Sequence, residues 1–200
     1  MNELVLHDVT NEPTAPTKIS LLRRIRRRAG FTLLELTMSL AIIAVLIGGI
    51  VMFFSSASTA QRTNDTMAEL GNIQQAVHSM YSGQPNYSGL TTTTIANSSQ
   101  IPAKWGGGTG ALTDPFGGAV NLSAQGTAIT GGPAANGAFV VEMDNLPAAA
   151  CAKVVTQDLG PSLIGVGVGA APTTITGALT PTAAQASCVA GSVNVFWVLY

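Results

Sequence analysis

One carboxylate stands where a charge is costly. Five arginines, Arg23, Arg24, Arg26, Arg27 and Arg28, and a glycine, Gly30, precede 24 residues, Phe31 to Phe54, in which Glu35 is the single charged side chain. An acid at the centre of a membrane helix costs about 3 kcal/mol even on insertion scales, so such a residue is normally paired and functional. The chemistry it could do is charge neutralisation: a buried carboxylate is best placed beside a buried cation. Other reactive types are sparse. The histidines, His7 and His78, adjoin no cysteine or carboxylate cluster with metal-ligand spacing, and neither a G-x-S-x-G elbow nor a phosphate-binding loop occurs. "GVGVGA", Gly165 to Ala170, lacks the third glycine of a dinucleotide fingerprint and reads as a strand that another backbone approaches closely. No catalytic residue, metal site or cofactor is expected.

The elements that must position Glu35 follow from composition. Only 10% of the 200 residues are charged, against about a quarter in ordinary domains. Lys18 and the five arginines outweigh Glu3, Asp8 and Glu12 in residues 1 to 30, a sum of +3. Beyond them Arg62, Lys104 and Lys153 face seven acids, a sum of -4. Arginines against an apolar run, with an acidic remainder, fit cytoplasmic anchoring beside a membrane span better than nucleic-acid binding. Phe31 to Phe54 is apolar on all sides, and at 1.5 Å per residue it reaches roughly 36 Å, enough to cross a bilayer. Leu70, Ile73, Val77, Met80 and Tyr81 then recur at helical spacing, with Arg62, Asp65, Glu69, Asn72 and Gln75 on other faces, which predicts an amphipathic continuation to about Tyr81. Gly48 and Gly49 mark where this long helix bends or melts most easily.

Residues 83 to 137 show little periodicity and read as loop, with Trp105 and Phe116 as anchors. Strands are predicted at Ala138 to Met143, Leu163 to Val168 and Val193 to Tyr200, and a short helix in "NLPAAACAKVVTQDLG", with Pro147 near its first turn and Gly160 past its end. The fold class is α+β: a long N-terminal helix, its hydrophobic half protruding and its amphipathic half packed on a mostly antiparallel sheet. Cys151 and Cys188 lie in this distal part, which is extracytoplasmic if the arginines are cytoplasmic; a disulfide is then favoured over two buried thiols.

"RRRAG" followed by "FTLLEL" and an apolar helix resembles the class III signal of type IV prepilins and pseudopilins. The resemblance fixes Gly30, Phe31 and Glu35 together. It implies cleavage between Gly30 and Phe31 by a membrane-embedded prepilin peptidase, N-methylation of Phe31, and attraction between Glu35 of one subunit and the Phe31 amine of its neighbour during homopolymer assembly. A simpler role for Glu35, favouring the dipole of the helix start, stays open. Four segments follow: a leader, 1–30; a transmembrane and filament-core helix, 31–54; its amphipathic continuation, 55–82; and a globular head, 83–200. By the same resemblance Cys151 and Cys188 form the C-terminal disulfide, Gly48 and Gly49 permit local unwinding in the filament, and the long leader points to the type IVb branch. The implied partners are pilin subunits, the peptidase, the inner-membrane assembly machinery and the membrane itself, with no direct nucleic-acid binding. The implied role is adhesion, aggregation or conjugative DNA transfer. A secretion pseudopilin, a minor or tip pilin, a single-pass anchored binding protein and an ordinary signal peptide remain alternatives.

Overall fold

The structure is a computed structural model that describes residues 32–189 and 191–200. The arginine block, Gly30 and Phe31 therefore lie outside the described residues. The described residues fall into two units, the first ending at Val45 and the second beginning at Leu46. Helix α1, Leu33–Met80, belongs to both. Thr32 starts it: its Oγ1 accepts the Glu35 amide at 3.2 Å while its carbonyl accepts the Leu36 amide at 3.1 Å. Within the first unit every described side chain is exposed, and Thr37 and Ser39 return their hydroxyl protons to carbonyls one turn back. That local pairing lets a polar side chain sit in an apolar helix without an orphaned donor.

In the second unit the amphipathic half of α1 buries Leu70, Ile73, Ala76 and Val77 completely. The sequence places Glu69 on another face, and the structure corrects this: Glu69 is fully buried beside Leu70. Met80 is exposed instead, and α1 ends there.

Five strands follow, β1 (Leu112–Thr113), β2 (Ala119–Ala124), β3 (Phe139–Pro147), β4 (Leu163–Val168) and β5 (Ser192–Leu199). Their order is β1-β2-β3-β5-β4, with every named ladder antiparallel. Side chains alternate across a strand, so the central pair has two buried faces. Phe139, Val141, Met143, Val195 and Trp197 join the α1 residues in the main core. Val140 and Val198 pack with Ile129, Ala138 and Ile164 in a second, smaller cluster. Three strands fall where the sequence puts them, to within four residues at an end. Residues 83–137 hold more structure than loop. Thr91 caps a five-residue helix α2, Thr92–Ala96, and a 3-10 turn, Ala103–Trp105, buries Trp105 under the Lys104 ammonium, 4.2 Å from the ring centre. Phe116 is only half-buried and stays outside both clusters, because it sits in the turn joining β1 to β2.

Helix α3, Ala148–Val154, starts after Pro147 as expected, and α4, Pro181–Ser187, is capped by Thr180. The "GVGV" of "GVGVGA" lies in strand β4 under close approach, and Gly169 and Ala170 follow its end. A Cβ on Gly165 would meet Thr176 Oγ1 and, at 3.1 Å, Pro172; one on Gly167 would strike the Ala170 carbonyl. The segment after β4 folds back along this outer strand, with Thr176 and Gly177 amides donating to Ile164 and the Gly177 carbonyl accepting from Val166. The edge is thereby covered, which blunts its pairing with other chains.

Candidate functional site

Glu35 is the third residue of α1 and lies in its first turn. With Thr32 before the helix it makes the T-x-x-E pattern of a capping box, of which the Thr32 half is formed. Glu35 is exposed in this geometry. A carboxylate in the first turn gains from the helix dipole, and it stands four residues after Phe31. Both readings of Glu35 therefore use the same end of the same helix.

Along the apolar run of α1 the surface is bare, in each unit taken by itself. Leu33 is 82% exposed and Phe53 and Phe54 over 70%, and the helix is long and apolar enough to cross a membrane. Isolated exposed leucines are ordinary, whereas a contiguous sleeve of them marks a surface that lipid or protein covers. α1 is helical straight through Gly48 and Gly49, and a Cβ at either would meet nothing within 4 Å. Packing therefore does not require these glycines in the single chain.

Cys151, buried in α3, and Cys188, at the end of α4, form a disulfide with Cα atoms 5.9 Å apart. The bridge joins two short helices, α4 among them, which the sequence reading leaves as a plain segment before the last strand. The signal for α4 was present: a threonine followed by proline, the usual cap and first helical position.

The feature that sequence reasoning missed is an acidic pair in the core, Glu69 on the amphipathic half of α1 and Asp114 in the head. Neither Glu69 carboxylate oxygen has a hydrogen-bond partner. Burial foremost, then the Asp114 charge, pushes its pKa up to about 8, with Lys104 pulling the other way. Asp114 closes the turn between β1 and β2, its Oδ1 accepting the Phe116 and Gly118 amides at 2.8 Å each, while its Oδ2 is unpartnered. Burial raises the Asp114 pKa, those amides oppose the rise, and Asp144 adds to it. Among the described residues no group of three or more His, Cys, Asp or Glu side chains could hold a metal. Burial favours the protonated form of both acids.

A long helix lying across an antiparallel sheet, with a late disulfide, defines a pilin fold. The fold is shared with TcpA, a type IV pilin from Vibrio cholerae El Tor biotype, at 18% identity over 70% of this chain and 99% of that one, TM-score 0.50. A type IV b pilin from Salmonella typhi aligns at 16% identity over 65% of this chain and 96% of that one, TM-score 0.45. A family model described as bundlin matches residues 55–195, and one described as the prokaryotic N-terminal methylation motif matches residues 25–51. The major structural subunit of bundle-forming pilus from Escherichia coli O127:H6 (strain E2348/69 / EPEC) is 33% identical over 143 residues, 70% of this chain and 69% of that protein; the same-named protein of Escherichia coli O111:H- matches equally. This chain belongs to the bundlin family of type IV pilins.

Proposed function

We propose that this chain is the major structural subunit of a type IVb pilus and catalyses nothing. Prepilin peptidase removes residues 1–30, cutting between Gly30 and Phe31, and the new Phe31 amine is methylated. Residues 31–54 anchor the subunit in the bacterial inner membrane, with the arginines cytoplasmic, and later form the filament core. Residues 55–82 continue the helix, and residues 83–200 form the head that faces the outside of the extracellular filament. The inner-membrane assembly machinery adds each subunit to the homopolymer. Its uses would be adhesion, aggregation or conjugative DNA transfer.

The observation that carries this reading is the bare apolar sleeve with one carboxylate, Glu35, at its start. A sleeve of that kind must pass from lipid to protein surroundings without meeting water. In both, the Glu35 charge needs a cation, and cleavage after Gly30 creates one. The disulfide between Cys151 and Cys188 favours a pilin over a secretion pseudopilin, since it staples a head that works outside the cell. Mass spectrometry of surface filaments tests the reading. The expected mature chain begins with N-methylated Phe31; a chain retaining its arginines, or the absence of filaments, refutes it.

A further inference from the structure

A second site lies where the apolar sleeve ends. Ser55, Ser56 and Thr59 of α1 and Ala149 and Lys153 of α3 line an open cleft of about 250 Å3, whose lone cation is the Lys153 ammonium. The Thr59 hydroxyl donates to the Ser55 carbonyl at 3.0 Å, and Ser55 and Ser56 contribute two further hydroxyls to the lining. A cationic residue and two hydroxyl residues lining one cleft suit a phosphate. A second polar cleft, lined by Asn72, Gln75, Ser79 and Gln100, has no charge in its lining and does not.

Depth identifies the source of that phosphate. A bilayer of roughly 40–45 Å has a hydrocarbon core of roughly 30 Å, which leaves about 5–7 Å of headgroup on each side. Residues 55 to 59 rise about 7 Å beyond Phe54 at 1.5 Å per residue. With Phe53 and Phe54 at the boundary of the hydrocarbon core, and the excess of the roughly 36 Å run over a core of roughly 30 Å taken up by tilt or by overhang at the other end, they sit at headgroup depth. Lys153 is carried on a helix whose Ala150, Cys151 and Val154 are buried. Of the other cations beyond residue 54, Arg62 is absent from the lining and Lys104 lies over Trp105.

We propose that Lys153, Ser55 and Ser56 bind the phosphate of an anionic phospholipid headgroup while the subunit waits in the membrane, setting its depth until it is extracted into the filament. This rests on the membrane anchoring proposed above.

The test is native mass spectrometry of the full-length subunit extracted from membranes in mild detergent and offered phosphatidylglycerol. Wild type should carry one phosphatidylglycerol. Lys153→Gln should retain about five-fold less, the effect of one cation at an anionic surface, and Lys153→Arg should restore it. Ser55→Ala with Ser56→Ala should weaken retention with the disulfide and helical circular dichroism unchanged. Equal retention by wild type and Lys153→Gln overturns the proposal, as does equal retention of phosphatidylcholine. Displacement by millimolar inorganic phosphate assigns the cleft to free phosphate and overturns the lipid source. Recovery of the wild-type subunit in the soluble fraction would overturn the anchoring itself, a result distinct from all of these.

Discussion

Glu69→Gln tests whether the core between α1 and the head folds around a proton. Glu69 is fully buried with both oxygens unpartnered, and its pKa rises from 4.5 to about 8, first through burial and then through Asp114. A folded pKa above the unfolded one means that folding binds a proton. The associated stability is complete below pH 4.5 and is lost as pH climbs to about 8. The slope inside that window is about 1.4 kcal/mol per pH unit, approaching a loss of about 5 kcal/mol in all. Asp114 shifts in the same direction and adds to the trend. Glutamine keeps the shape and cannot ionise. It leaves a buried amide unpartnered, as the neutral acid also does, so the two proteins should be alike near pH 5. At pH 8 the glutamine variant should be more stable by about 4 kcal/mol, roughly 10 °C in Tm for a folded unit of this size. Thermal unfolding of the full-length, disulfide-intact subunit in detergent, followed by circular dichroism from pH 5 to 8.5, reads this directly. A wild-type Tm that is flat across the window, with no gain for the variant at pH 8, would refute the reasoning.

Two further outcomes follow from the head. Cys151→Ser with Cys188→Ser opens a loop of 37 positions and should cost about 3–4 kcal/mol in the loop-entropy picture, measured as a lower denaturant midpoint and faster proteolysis of the head. Gly165→Ala drives a methyl into Thr176 and Pro172 and should lower stability by about 1–3 kcal/mol, whereas Gly169→Ala, with nothing within 4 Å but a φ of 80°, should cost only about 1 kcal/mol of left-handed strain. Equal midpoints for Gly165→Ala and wild type would mean that the covering segment does not press on β4.

The parts of the fold legible in the sequence are those whose apolar pattern is continuous. α1 shows through its unbroken apolar run and its stripe at Leu70, Ile73 and Val77; β3 and β5 show through dense β-branched and aromatic residues. β2 was illegible because "AVNLSA" offers only two large apolar side chains, Val120 and Leu122, amid small and polar ones. α2 is too short for a helical period to register and is set by the Thr91 cap. Glu69 was misplaced for a different reason. It lies three residues after Thr66 and four before Ile73, both buried, so its position was readable and its side-chain type overrode it. Acids are almost never buried unpaired, and a protonated carboxyl is the exception. Of the proposed assembly site, the sequence carries nearly everything: Gly30 and Phe31 lie outside the described residues, and for Glu35 the structure adds the Thr32 cap.

The most direct measurement of the central claim compares filament yield from cells expressing wild type or Glu35→Gln, with processed subunit counted in the membrane fraction. The account predicts that the amide variant is cleaved after Gly30 and accumulates in the membrane while surface filaments vanish. Filaments at wild-type yield from subunits carrying that neutral amide would contradict it.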